Sequence, residues 1–147
     1  MKHASDSSAQ REAESHLIDY LNRTQVLKLV PKRCSLGNDV AVQLDGIDED
    51  KRVICEAFAH IGNLKAAQSR KVTSDMLKLL LVEKHKTGGW RKILCFADQE
   101  AANDFQGKTW RAKAVTEFNF EVIVAKLPLE VLESISTAQK RQQMVNA

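Results

Sequence analysis

Glu56 is the residue whose position most clearly indicates chemistry, because it interrupts an apolar run. The segment Val-Ile-Cys-Glu-Ala-Phe-Ala, residues 53–59, has the length and composition of a buried β-strand. A buried carboxylate without a partner is strongly disfavoured, so Glu56 needs a cation, a set of hydrogen-bond donors or an exposed sheet end. Its presence therefore predicts a binding or catalytic site at this strand.

Asp39 is a second acid that the chain is expected to bring to the same place. Predicted strands near residues 39–44 and 52–59 flank a polar turn at 45–50, a pattern typical of an antiparallel hairpin. The start of the first strand of a hairpin lies near the end of the second, so Asp39 and Glu56 are expected to approach each other. Two carboxylates at a sheet end suit Mg²⁺, which commonly takes one or two carboxylates plus waters and substrate phosphate.

Two other acids are candidates for the same cation, and each has an alternative interpretation. Asp45 is the rival of Asp39 as the metal ligand, but its place beside Gly46 is typical of a turn residue. Glu14 lies in a predicted first helix, residues 8–24. It falls on the apolar stripe of that helix, whose other members are Leu17, Ile18 and Leu21. The alternative for Glu14 is a first-turn carboxylate that the helix dipole favours.

A long helix predicted over residues 64–85 adds a cation and an amide. Lys65 and Gln68 share one stripe with the apolar residues that must face the sheet, namely Val72, Met76, Leu79 and Leu80. The first turn of the helix is therefore expected to point at the end of the strand that carries Glu56, with Lys71 at the flank. The alternative is that Lys65 extends into solvent at a helix end.

The elements that position these residues predict an α/β fold. The order is helix, two strands with room for a short strand before them, long helix, a strand at 92–97, short helices, a strand at 120–127 and a final helix. A hairpin that leads into a strand–helix–strand unit gives a mixed β-sheet with flanking helices on both faces, an α/β sandwich. We expect a single domain over residues 1–147, with a core at about 10–127 and a C-terminal helix and tail at 128–147.

Composition argues against several other classes of protein. At 147 residues, 44% hydrophobic and 28% charged, the chain is long and apolar enough to form a core without disulfides. No run approaches the roughly 18 apolar residues of a membrane span, and no apolar segment near the start indicates a signal peptide. Three cysteines without a CxxC pair indicate reduced thiols in a cytoplasmic protein. The chain lacks GxGxxG, GxxxxGK[ST] and GxSxG motifs, which makes dinucleotide, P-loop and serine-hydrolase sites unlikely.

The formal charge of +3 is unevenly distributed along the chain. Residues 39–56 hold six acids and two bases, whereas residues 60–92 hold eight bases and two acids. An acidic segment followed by a basic one suits a site that binds a cation and faces a polyanion. The alternative is a set of charged loops and a solvated helix face.

These residues and their order resemble the PD-(D/E)XK, or restriction-endonuclease-like, nuclease superfamily. The resemblance spans roughly residues 10–127 and rests on the element order, on Asp39 with the apolar residues after it, and on Glu56 in the next strand. The chain departs from the family pattern at Phe58, which stands where the family has its lysine. Some members carry that lysine on the following helix, where this chain has Lys65.

The resemblance implies metal-dependent hydrolysis of phosphodiester bonds in nucleic acid, with DNA as the expected substrate and Mg²⁺ or Mn²⁺ as the cofactor. Asp39 and Glu56 would hold the metal, with Glu14 contributing through water. Lys65 and Gln68 would complete the catalytic set, with Lys65 orienting the attacking water or stabilising developing charge. Flanking phosphates would be contacted by four further bases: Arg70, Lys71, Arg91 and Lys92. A homodimer is expected by analogy with nucleases that cut both strands.

Two functions from other classes stay open. One is a catalytically inactive domain of the same fold that binds nucleic acid or a protein, which the replacement of the family lysine by Phe58 would allow. The other is an α/β enzyme that acts on a small molecule.

Overall fold

A five-stranded mixed sheet between two layers of helices forms the fold in the computed structural model, which describes the backbone of residues 4–146 and the side chains of residues 8–145. This confirms the predicted α/β class. The strands are β1 (Val30–Ser35), β2 (Ala41–Asp48), β3 (Val53–Phe58), β4 (Arg91–Phe96) and β5 (Phe120–Val124). The helices are α1 (Ala4–Gln25), α2 (Ala66–Lys86), α3 (Gln99–Ala102), α4 (Trp110–Glu117) and α5 (Leu129–Asn146), with a 3-10 turn at Asn103–Phe105.

The strands lie in the sheet in the order in which they occur along the chain. β1 and β2 pair antiparallel, as do β2 and β3, whereas the pairs β3–β4 and β4–β5 are parallel and are joined by helical crossovers. β3 is buried along its whole length, as its nearly continuous apolar sequence predicts for a central strand. β1 is an edge strand, which tolerates Pro31 because an edge residue has no neighbour that needs its N–H.

Each face of the sheet has its own apolar core. On one face, α2 and the α3–α4 segment pack residues such as Met76, Leu79 and Phe105 against Leu94 and Phe96. On the other, α1 and α5 cover the sheet through the predicted stripe of α1, whose residues Leu17, Ile18 and Leu21 are buried. Since the two layers of helices rest on opposite faces, side chains from both can meet only at an end or an edge of the sheet.

The hairpin that carries the acids differs from the prediction in its register. Asp45 and Gly46 lie inside β2, and the turn follows at residues 49–52. Gly46 is required for close packing rather than for a turn, because an added Cβ would lie 3.1 Å from Ile18 Cδ1 and 3.2 Å from Leu29 Cβ. The predicted turn was wrong because glycine marks both situations in a sequence.

The change of register removes Asp39 from the neighbourhood of Glu56. Asp39 is exposed in the turn between β1 and β2, with φ at 62°. Asp45 lies six positions further along the chain and immediately before Gly46, the residue that pairs with Cys55. The predicted approach of Asp39 to Glu56 is therefore wrong, and Asp45 takes its place.

α5 continues to Asn146, so it occupies most of the segment 128–147 for which the sequence predicts a helix followed by a tail. It packs against α1, and its Gln139 is hydrogen-bonded to the chain just after β3. The backbone N–H of Ile61 donates to Gln139 Oε1 at 2.6 Å, and Gln139 Nε2 donates to the Ile61 carbonyl at 3.0 Å. No helix within residues 4–146 is long and apolar enough to cross a membrane.

Candidate active site

Asp45 and Glu56 lie side by side where the ladder between β2 and β3 stops. The last backbone pair is Gly46 with Cys55. Beyond it, the N–H of Asp45 donates to Glu56 Oε2 at 2.9 Å, and the N–H of Ala57 donates to Asp45 Oδ2 at 2.9 Å. Each carboxylate therefore accepts a backbone hydrogen bond from the opposite strand, and this exchange fixes both of them at the end of the ladder.

Glu56 is held in a place that disfavours its charge. It is 1% exposed. Burial, and after it the repulsion of Asp45, raises the pKa of Glu56 to about 8, although an ion pair with Lys78 acts in the opposite direction. Lys78 is itself placed by a hydrogen bond of 2.9 Å to the Gln43 carbonyl. The pair of carboxylates thus lacks enough positive charge to ionise Glu56 fully at neutral pH.

A cavity of about 480 Å³ opens above these two acids, between β2, β3 and helices from both faces. Its charged lining consists of four carboxylates, Glu14, Asp45, Glu56 and Asp75, and two lysines, Lys71 and Lys78. When all six are ionised, the lining carries two more negative than positive charges. A cation with two positive charges would balance that surplus.

Lys71 is the more accessible of the two cavity lysines. Its ammonium lies 3.1 Å from Asp75 Oδ2, and 70% of its side chain is exposed. Partial desolvation lowers the pKa of Lys71, but attraction to Asp75, Glu56 and Asp45 outweighs it and leaves the pKa above its usual value. Lys71 therefore keeps its charge and can be offered to an anionic group that enters the cavity.

Gln68 lines the cavity as predicted, but Lys65 does not. Lys65 precedes the first residue of α2 and is exposed. Its backbone N–H donates to Gln68 Oε1 at 2.8 Å, which caps the helix and fixes the amide. The prediction for Lys65 failed because α2 begins at Ala66, two residues after the predicted start, which leaves Lys65 at the N-cap outside the helical stripe.

The four predicted phosphate contacts are dispersed. Lys71 lines the cavity, whereas Arg70 is exposed on α2 without lining it. Arg91 lies at the start of β4 and makes two hydrogen bonds of 2.8 Å to Glu121. Lys92 is 3% exposed and pairs with Glu83 at 2.9 Å. Arg91 and Lys92 therefore form ion pairs with carboxylates of the protein, and they lie at the end of the sheet away from the cavity.

Asp75 and Lys78 are two charged residues of the site that the sequence analysis missed. Together with Gln68 and Lys71 they follow the spacing i, i+3, i+7 and i+10, which places all four on one face of α2. A search for a polar stripe with helical spacing would have found them. The apolar stripe drew attention to the first turn of the helix instead.

His60 and Glu14 also line the cavity. Burial lowers the pKa of His60, although a hydrogen bond with the backbone of Asn63 acts in the opposite direction. Glu14 reaches the cavity from α1, so the prediction of its inward position holds. Within residues 8–145 no group of three or more His, Cys, Asp or Glu side chains converges as metal ligands, and Asp45 with Glu56 forms a pair.

No protein-family model matches this chain, and no curated protein and no solved structure matches it. Functional argument therefore rests on the site itself.

Proposed function

We propose that the protein is a metal-dependent nuclease that hydrolyses phosphodiester bonds in nucleic acid, with DNA as the substrate. The observation that carries this proposal is the pair Asp45 and Glu56, locked together in a cavity that also holds Lys71 and Lys78. Two carboxylates and a nearby ammonium are a donor set suited to a cation and to a phosphate that binds beside it.

A divalent cation fits the residues present. The lining has a surplus of two negative charges when its four carboxylates and two lysines are ionised, and burial with the repulsion of Asp45 raises the pKa of Glu56 to about 8, which a bound cation would lower. Mg²⁺ is commonly held by one or two carboxylates, with waters and substrate oxygens completing its coordination. Asp45 and Glu56 would hold Mg²⁺ or Mn²⁺, and Glu14 faces the same cavity. When bound, such an ion lowers the pKa of water and polarises a phosphate.

The residues of the chain divide the remaining work. Lys71, exposed and charged, binds and orients the scissile phosphate and stabilises the charge that develops on it. Lys78 favours the ionised form of Glu56 and fixes its position. Gln68 offers its amide N–H₂ to the cavity, since its oxygen is engaged by the N–H of Lys65.

This arrangement supports the resemblance to the PD-(D/E)XK superfamily in a revised form. Asp45 replaces Asp39 as the acid of the first strand, and Glu56 remains the acid of the second. Phe58 belongs to the apolar core, with its ring centroid 5.1 Å from that of Phe96. The lysine of the motif is supplied from α2, by Lys71.

An inactive domain that binds nucleic acid is the second candidate, and one contact favours it. Lys78 is already paired with Glu56, so part of the negative charge is balanced without a metal. Such a domain would keep the cavity for an anionic group and would not hydrolyse it. A cytoplasmic location and a homodimer complete the proposal, the first from the three reduced cysteines and the second by analogy alone.

A cleavage assay tests the proposal. The purified protein is incubated with duplex, branched and single-stranded DNA in Mg²⁺, in Mn²⁺ and in EDTA, beside Glu56→Gln and the matched control Asp39→Asn. We expect metal-dependent cleavage by the native protein and by Asp39→Asn, and none by Glu56→Gln. Equal cleavage by Glu56→Gln contradicts the site, and binding of DNA without cleavage of any substrate favours the second candidate.

A further inference from the structure

A second polar cluster, built around Trp90, lies at the end of the sheet away from the cavity. β3 and β4 both begin there, because Val53 pairs with Arg91, and α2 ends there at Lys86. We define the Trp90 cluster as Arg52, Lys86 and Trp90. Glu56 lies three residues into β3, so roughly 10 Å of strand separates the cluster from the acids of the cavity.

Two cations lie close to the indole of Trp90, which packs against the apolar core. Arg52 Cζ lies 6.0 Å from the centroid of the ring, and Lys86 Nζ lies 5.5 Å from it. The indole Nε1 donates to the Thr87 carbonyl at 3.1 Å, and the backbone N–H of Trp90 donates to Glu83 Oε2 at 3.0 Å. The aromatic ring therefore has a fixed orientation and two cations within range of a cation–π attraction.

The loop that leads to Trp90 is shaped to receive Arg52. Arg52 Nη1 donates to the Gly88 carbonyl at 2.8 Å, and a Cβ at Gly88 would lie only 2.1 Å from that nitrogen. Gly88 thus permits a guanidinium to lie directly on the backbone.

The backbone of this loop is also strained. Thr87 has φ at 59° and ψ at 167°, a combination normally confined to glycine, and Arg52 has φ at 57°. Strain of this kind persists only where the surrounding structure imposes it, and it is concentrated at functional sites. The strain and the close approach together indicate a positioned arginine rather than a freely solvated one.

The region around the cluster carries more positive than negative charge. The two chain segments that form the cluster, residues 48–52 and 83–92, hold six bases and four acids; the bases are Lys51, Arg52, Lys84, Lys86, Arg91 and Lys92, and the acids are Asp48, Glu49, Asp50 and Glu83. One carboxylate, Glu49, is shared by Lys32 at 2.8 Å and Lys86 at 3.7 Å. Among residues 8–145, neither Arg52 nor Lys84 forms an ion pair. The surplus leaves cations of the cluster available to an anion from outside.

We propose that the Trp90 cluster binds the phosphodiester backbone of a nucleic-acid strand at a distance from the cavity. Arginine and lysine are the usual contacts to phosphate, and the ring of Trp90 attracts both cations of the cluster. The choice of nucleic acid among polyanions rests on the proposed nuclease function. The cluster positions the strand and takes no part in hydrolysis.

The binding test compares two double variants of equal charge. Arg52→Gln/Lys86→Gln alters the cluster, whereas Lys108→Gln/Lys113→Gln removes two exposed lysines elsewhere on the surface. Fluorescence anisotropy with a labelled 20-nucleotide single strand and a 20-base-pair duplex, in EDTA at 50 to 200 mM salt, gives affinity and its salt dependence. We expect the cluster variant to weaken binding about tenfold and to reduce the slope of log K against log salt by about two, and the control to stay within about twofold.

A second measurement reports on the cluster without altering it. Trp90 and Trp110 are the two tryptophans of the chain, so in Trp110→Phe the emission comes from Trp90 alone. Added DNA should quench that emission, and Arg52→Gln/Lys86→Gln in the same background should reduce the quenching. This readout does not depend on cleavage.

The outcomes separate this inference from the proposed nuclease activity. Loss of binding in the cluster variant supports the cluster even where the native protein cleaves nothing. Equal affinity and equal salt slope in the two double variants overturn it, even where the native protein cleaves DNA. Absence of DNA binding by the native protein, or binding only to phosphatidylserine vesicles tested in parallel, also overturns it.

Discussion

The backbone N–H of Asp45 in β2 donates to the carboxylate of Glu56 in β3 at 2.9 Å. The carboxylate of Asp45 in turn accepts from the N–H of Ala57, the residue after Glu56, at 2.9 Å. Side chains here replace the backbone ladder that ends at Gly46 and Cys55. These side-chain hydrogen bonds hold two carboxylates close together at the point where the backbone ladder ends. The predictions below depend on this arrangement.

Asp45→Asn should abolish cleavage, whereas Asp39→Asn should leave it unchanged. The amide of asparagine keeps an oxygen for the N–H of Ala57 but removes one of the two charges that would hold the metal. We expect the initial rate of DNA cleavage in Mg²⁺ to fall by about a hundredfold or more, which corresponds to about 3 kcal/mol or more of transition-state stabilisation. A comparable loss of cleavage in Asp39→Asn would indicate that Asp39, as predicted from the sequence, is the metal ligand.

The stability of the metal-free protein should fall as the pH rises from about 4.5 to about 8, through the titration of Glu56. The folded pKa of about 8 lies above the ordinary value of 4.5, so the folded state binds the proton more tightly than the unfolded state. The contribution of Glu56 is thus fully present below pH 4.5 and is lost as the pH passes through 8. Urea unfolding in EDTA from pH 4 to 9 measures the slope.

Two controls belong to that pH series. Glu56→Gln should flatten the slope, whereas Glu117→Gln, an exposed residue paired with Lys113, should not. Mg²⁺ should raise the free energy of unfolding most at high pH, where it binds the ionised carboxylate of the folded state. A slope that is unchanged in Glu56→Gln would assign the titration to another group.

Lys78→Met should destabilise the protein more than Lys71→Met. Lys78 is the ion-pair partner of Glu56 and is 24% exposed, whereas Lys71 is 70% exposed. Removal of one partner from a buried pair leaves the other without compensation, but protonation of Glu56 limits the loss, so we expect about 1–3 kcal/mol for Lys78→Met. The expected loss for Lys71→Met is below about 1 kcal/mol. Chemical unfolding at pH 7 gives both values, and equal losses would argue against the buried pair.

Lys71→Met should reduce cleavage more than Lys65→Met does. Lys71 lines the cavity, whereas Lys65 caps α2 with its backbone and does not line it. Because Lys71 would stabilise charge on the phosphate, we expect its removal to lower the rate by about a hundredfold, against less than about threefold for Lys65→Met. The reverse order would show that the lysine before α2 serves the reaction.

Gly88→Ala and Gly89→Ala should differ in DNA binding and not in stability. Both glycines have positive φ, at 85° and 69°, so alanine costs each a similar amount, on the order of 1 kcal/mol. Only at Gly88 does the new Cβ meet Arg52, whose flexible end can move aside. Thermal unfolding should therefore shift alike in both variants, and DNA affinity in EDTA should fall in Gly88→Ala alone. Equal DNA affinities of the two variants would show that Arg52 does not contribute to DNA binding.

The sequence predicted the framework better than the register. Apolar runs and helical stripes placed the mixed sheet and its helices. Asp45 was misplaced because Gly46 is typical of turns, and only the contacts of Ile18 and Leu29 show why glycine is needed inside β2. Local signals cannot report on a neighbour that is distant in the sequence.

The same limit explains the charged residues. Glu56 was identified from the sequence because a carboxylate in an apolar strand is costly wherever its partner lies. Lys92 was predicted to be free for phosphate, yet it is buried against Glu83 and lies 5.4 Å from the ring of Phe120. Lys78 was missed because its role depends on Gln43 and Glu56, which reach it only in the folded chain.

Gln139 imitates a neighbouring strand at one residue. Its amide offers the same donor and acceptor as a peptide group, and it satisfies both backbone groups of Ile61 from a position 78 residues further along the chain. Ile61, three residues after the end of β3, therefore has both of its backbone groups hydrogen-bonded to a side chain of a helix. A side chain of α5 therefore anchors the segment that joins the acids of β3 to the helix that carries Lys71.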